Sequence, residues 1–168
     1  MNIKNLYSQG TDLLSKAQDL PLLLVRVILA YTFFGPAMLK LSDISATADF
    51  FSYLGIPFPT LNAYMAASTE MLGAVLLTLG LLTRFISLPL LMIMFVAIAT
   101  VHGANGFHAI VPDISWEDAF VNGEAVKGTL VILQNGYEFV LYYIAMLLVL
   151  VTKGAGRFSL DHLIFHKS

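Results

Sequence analysis

Residues 20–39 read LPLLLVRVILAYTFFGPAML, twenty positions with a single charge, Arg26. At about 1.5 Å rise per residue such a run crosses a hydrocarbon core of roughly 30 Å. Three further apolar runs follow: Leu61 to Leu82, with Glu70 inside it; Phe85 to Val101; and Asn135 to Thr152. The predicted fold class is therefore an all-α membrane protein, an antiparallel four-transmembrane-helix bundle in a lipid bilayer, with short interfacial helices at both termini. Thr83-Arg84 leaves room only for a tight turn, so the second and third spans run antiparallel and adjacent.

The rest of the chain is organised around these runs. Residues 1–19 place Ile3, Leu6, Tyr7, Leu13 and Leu14 at helical spacing with polar residues between them, the pattern of an interfacial amphipathic helix. No cleavable leader is expected, because mostly polar residues precede the first apolar run. The bundle is expected over 20–152, with spans at 20–39, 61–82, 85–101 and 135–152. In the outer loop 40–60, Ala48 to Leu54 could form a brief helix that Gly55 ends, with Pro57 and Pro59 barring its continuation. The other outer loop, 103–134, holds most of the remaining polar residues. The tail, 153–168, ends in a short amphipathic helix capped by Ser159.

Composition agrees: the chain is 58% hydrophobic and 12% charged, far from an ordinary soluble domain. A net charge of -2 with scattered basic residues offers no field for nucleic acid. The absence of cysteine excludes thiolate chemistry, disulfides and cysteine-ligated metal within this chain, so redox work requires a bound cofactor or a partner. Lys4, Lys16, Arg84, Lys153, Arg157 and Lys167 fall on one side of the predicted membrane, against Lys40 and Lys127 on the other. That bias places both termini in the cytoplasm of a multi-pass protein.

An ionisable residue inside a span costs roughly 2.5–3.5 kcal/mol on insertion scales and so faces protein or water. Arg26 shares a helical stripe with Ala30, Phe33 and Ala37, and Glu70 shares one with Ala63, Ala66, Gly73 and Ala74. Counted from the cytoplasmic side, Arg26 lies about 9 Å deep and Glu70 about 18 Å, a gap that a long arginine side chain can largely close. Two readings stand open: a structural ion pair clamping two helices, or a ligand and proton site. Aromatic residues including Phe33 and Tyr64 suit a flat hydrophobic ligand such as a quinone, with Arg26, Phe33 and Tyr64 as binding residues and Glu70 handling a proton; packing and an interfacial aromatic belt are the competing explanation. His102, His108 and Glu138 form a second candidate set, of metal-ligand chemistry but without the spacing of a metal motif.

Arg26, Gly35-Pro36-Ala37-Met38-Leu39-Lys40, Phe50, Leu54-Gly55-Ile56-Pro57, Glu70, Gly73 and Gly80-Leu81-Leu82-Thr83-Arg84 together resemble the DoxX family of small bacterial integral membrane proteins. The resemblance runs from Leu20 to Val101, and a fourth span extends it to Thr152. It implies a four-helix protein of the bacterial inner membrane and recurring polar positions at Arg26, Lys40, Glu70 and Arg84. It also implies three different jobs: thiosulfate:quinone oxidoreduction, a membrane oxidoreductase complex handling oxidative stress, or the making of modified metal-binding peptides. The leading expectation is a membrane subunit of an oxidoreductase system that binds quinone. The alternatives are a non-catalytic anchor or assembly partner of a soluble enzyme, or a metal-handling membrane protein. A protein partner or a homo-oligomer is expected in each case.

Overall fold

A computed structural model of the chain describes residues 17–113, 119–121, 124–126 and 130–165, with positions 3, 7, 8, 11 and 15 before them. Most of the amphipathic segment expected over 1–19 lies outside the described residues. Six helices are described beyond it: α1 (Asp19–Ser42), α2 (Ile44–Tyr53), α3 (Pro59–Leu79), α4 (Thr83–Ala97), α5 (Glu138–Lys153) and α6 (Leu160–Phe165). A π-helical turn, Ile98–His102, and a 3-10 turn, Gly103–Asn105, prolong α4.

Two helical stretches, Asp19–Ser42 and Thr83–Asn105, are long and apolar enough to cross a membrane. At 16 residues, α5 is shorter than the expected 135–152 span, because the backbone from Gln134 to Glu138 instead donates to carbonyls at 106–109. The expected helix within 40–60 also differs in extent. It begins at Ile44, because the Asp43 carboxylate accepts a bond from the Ala46 N–H at 2.9 Å and caps it.

The 103–134 segment is not simply a loop. It contains β1 (Ile110–Asp113) paired antiparallel with β4 (Leu130–Leu133), and β2 (Ala119–Val121) paired antiparallel with β3 (Glu124–Val126). The nested registers, Ile110 opposite Leu133 and Ala119 opposite Val126, fold this stretch back on itself.

The long helices α1, α3, α4 and α5 bury one shared core. Leu29 and Phe33 of α1, Leu77 of α3, Leu90 of α4 and Leu147 of α5 are all essentially inaccessible. Small residues set the approach of α3. Ala63, Ala67, Gly73 and Ala74 lie on its buried face, and a Cβ at Gly73 would stand 2.8 Å from the Leu90 side chain. Opposite that core, Phe85, Leu88, Met92 and Phe95 of α4 form an exposed apolar stripe at helical spacing.

Glycine decides where two helices stop. Gly55 and Gly80 adopt φ +74° and +65°, a region that costs other residues about 1–2 kcal/mol. Each is followed by the paired bonds of a Schellman ending: Ile56 N to Phe51 O with Gly55 N to Ser52 O, and Leu81 N to Leu76 O with Gly80 N to Leu77 O. The second ending turns the chain from α3 into α4. There the Asp161 carboxylate, from the far end of the sequence, accepts the Leu82 and Thr83 N–H groups at 2.7 and 3.0 Å and caps α4 in trans.

Candidate functional site

Arg26 and Glu70 are both buried, at 1% and 4% exposure, but they do not meet. The expected Arg26–Glu70 ion pair is corrected by the bonds each makes. Arg26 Nε donates to Leu77 O at 2.9 Å and Nη2 to Thr78 O at 3.1 Å, while Nη1 donates to Ala155 O at 2.9 Å and to Phe158 O at 2.7 Å. Leu77 and Thr78 belong to the last turn of α3, where carbonyls lack the i+4 donors of the helix interior and the helix dipole favours a cation. The planar guanidinium therefore ties α1 to the end of α3 and to the turn after α5. A Cβ at Gly80 would come within 2.5 Å of Arg26 Nη2, so the helix-ending glycine also makes room for this fork.

Glu70 pairs with Lys40 instead. Lys40 Nζ lies 2.7 Å from Glu70 Oε2, with the lysine side chain 21% exposed. Lys40 is in reach because α1 continues to Ser42 rather than stopping at Leu39, and because Arg26, Phe33 and Lys40 recur at seven-residue spacing along one face. Antiparallel packing of α3 on α1 then sets Arg26 against its end and Lys40 against its middle.

The Lys40–Glu70 pair stands in the wall of a cavity of about 580 Å³. Phe33 and Pro36 of α1, Phe50 and Phe51 of α2, Pro89 of α4 and Tyr143 of α5 contribute to the rest of the wall, which is predominantly apolar. Two of these are prolines inside helices, each removing a backbone donor, and the π-helical turn contributes Val101. The helical hydrogen-bond ladder is thus irregular beside the cavity. Of the residues expected at a ligand site, Phe33 and Glu70 line this cavity, whereas Arg26 and Tyr64 do not; Tyr64 is 56% exposed.

The set His102, His108 and Glu138 does not converge. His102 Nδ1 bonds Asn135 O at 2.9 Å, and His108 Nδ1 is 3.9 Å from Glu138 Oε2. Both Glu138 oxygens are engaged, Oε1 by the Tyr142 hydroxyl at 2.8 Å and Oε2 by the Ala109 N–H at 3.2 Å. Among the described residues no three His, Asp or Glu side chains gather to hold a metal ion. These three residues instead fasten the start of α5 to the segment before β1.

Comparison with known proteins matches the DoxX family model over residues 21–103, the part that holds α1 to α4 with Arg26, Lys40 and Glu70. An uncharacterized protein of Haemophilus influenzae is 30% identical over 147 residues, covering 85% of this chain and 82% of its own length. A Bacillus subtilis protein, "Putative oxidoreductase CatD", is 33% identical over 88 residues, 52% of this chain, and the match spans 64% of that relative's length. No solved structure matches. With residues 21–103 matched and two helical stretches apolar enough to cross a membrane, the chain belongs to the DoxX family of membrane proteins.

Proposed function

We propose that this protein spans the bacterial cytoplasmic membrane four times, through α1, α3, α4 and α5, and serves an oxidoreductase system by binding a quinone in the Lys40–Glu70 cavity. The observation that carries this reading is a cation–carboxylate pair 2.7 Å apart in the wall of a largely apolar chamber. Its volume falls within the range of about 300–1,000 Å³ usual for small-molecule sites. The relative whose name includes an oxidoreductase adds support of a weaker kind. The excess of Lys and Arg in 1–19, at Arg84 and in 153–168 favours those segments facing the cytoplasm.

A quinone bound there would supply two-electron, two-proton redox chemistry, with electrons from a partner protein since this chain has no thiol. The residues present fit such a group. Lys40 Nζ donates one N–H to Glu70 and has two further N–H donors suited to a carbonyl oxygen, and the Glu70 carboxylate can pass on one of the two protons that accompany reduction, the other coming from water at the open side of the cavity. Phe33, Phe50 and Phe51 offer apolar faces to a ring. Arg26, with four backbone carbonyls to satisfy, is assigned to architecture rather than to the ligand.

Extraction into native lipid particles followed by mass spectrometry is expected to yield about one quinone per chain. A doubly substituted Lys40→Met/Glu70→Gln protein, which leaves no unpaired charge, is expected to lose at least tenfold of it, on the order of 1.4 kcal/mol. Wild-type protein recovered intact without quinone would reject the cofactor and leave a scaffold for a soluble enzyme as the better account.

A further inference from the structure

The opposite end of the molecule carries a second open cavity, of about 720 Å³, between the start of α4, the end of α5 and the 154–165 segment. Its wall contains Arg84, Lys153 and Arg157, all exposed, and none forms an ion pair among the described residues. The two carboxylates in the same wall are already engaged by backbone N–H groups. Asp19 Oδ1 accepts from Arg157 N at 3.0 Å, and Asp161 accepts from Leu82 and Thr83. Three basic side chains thus face two carboxylates in the wall, an excess of positive charge.

The cavity is open on an apolar side. Phe85, 72% exposed, is in its wall and also begins the α4 stripe that continues through Leu88, Met92 and Phe95. Phe165, on the short α6, stands exposed in the same wall. A basic pocket that runs directly into an apolar helix face has the two-part chemistry of a phospholipid: an anion for the pocket and chains for the stripe. A soluble phosphate would use only the first part.

We infer that this end of the protein is a binding site for an anionic phospholipid, its phosphate held by Arg84, Lys153 and Arg157 and its acyl chains lying along Phe85, Leu88, Met92 and Phe95. The headgroup pocket shares no residue with the quinone cavity and does not depend on that reading; of the acyl-chain stripe, Met92 also lines that cavity. Its phosphate contacts sit beside the turn that Asp161 caps and the loop that Arg26 grips, so a bound lipid would hold the 154–165 segment against α4.

Native mass spectrometry of the full chain, released from micelles holding equal phosphatidylglycerol and phosphatidylcholine, tests this directly. Wild-type protein is expected to retain phosphatidylglycerol with at least tenfold preference, since each of the three basic side chains near an anionic headgroup contributes severalfold. The Arg84→Gln/Lys153→Gln/Arg157→Gln protein should show no preference, while Arg84→Lys/Lys153→Arg/Arg157→Lys, which keeps the charge, should retain it. If the neutral triple variant does not fold, Arg84→Gln alone is expected to lower the preference severalfold. Equal preference in wild-type and neutral variants would overturn the assignment. So would wild-type protein that binds inorganic phosphate but does not distinguish the two lipids.

Discussion

An Arg26→Met variant is expected to yield little folded protein, the largest loss of any single substitution in the bundle. Methionine fills similar volume but leaves the carbonyls of Leu77, Thr78, Ala155 and Phe158 without the donors that Arg26 provides. Each buried acceptor that loses its partner costs about 1–3 kcal/mol, and bonds to a charged donor are at the stronger end. Two such losses already approach the lower part of a native stability of roughly 5–15 kcal/mol. Arg26→Lys should recover only part of it, because a point ammonium cannot spread donors across four carbonyls as a planar fork does. Monodisperse recovery from detergent and the temperature of unfolding check both variants; an Arg26→Met protein as stable as wild type would remove the clamp.

The second large effect concerns Lys40 and Glu70, which should behave as a coupled unit. Lys40→Met alone leaves a buried carboxylate without its cation, a loss expected to cost about 3–5 kcal/mol. Glu70→Gln alone strands the ammonium, but Lys40 is partly exposed and can turn toward water, so the loss should be smaller. The double variant should be closer to wild type than Lys40→Met is. Chemical or thermal unfolding of all four proteins closes the cycle, and single losses that simply add within about 0.5 kcal/mol would show the pair to be uncoupled.

The sequence showed the long helices plainly, because apolar runs near twenty residues carry their own signal. Their ends were harder to place. Reading α1 as finished at Leu39 put Lys40 in a loop, although Arg26, Phe33 and Lys40 already stood seven residues apart and so on one face. That spacing, beside the recurring polar position that the family resemblance implied at Lys40, was the available signal for its pairing with Glu70. Nothing comparable pointed to the real partners of Arg26: they are backbone oxygens, one of them 129 residues away, and hydropathy and periodicity report side chains only. Asp161 was missed for the same reason, since it caps a helix 78 residues earlier rather than its own. Tyr64 shows the limit of aromatic clustering along the chain. It lies near the cavity residues in sequence but faces outward, while Tyr143, far from them in sequence, lines the wall.

Buried Arg26 and partly exposed Lys40 thus divide the labour of the bundle: Arg26 fixes its architecture at one end, and Lys40 with Glu70 gives the other end a polar point in an apolar chamber. The most direct measurement is photolabelling of the full chain in lipid with an azido-quinone, followed by peptide mapping. Label is expected in the segments 50–56 and 89–101, which line the cavity around Lys40 and Glu70, and should be displaced by excess unlabelled quinone. Displaceable label concentrated instead near Arg26 and residues 153–165, or on Tyr64, with the cavity segments unmarked, would contradict the account.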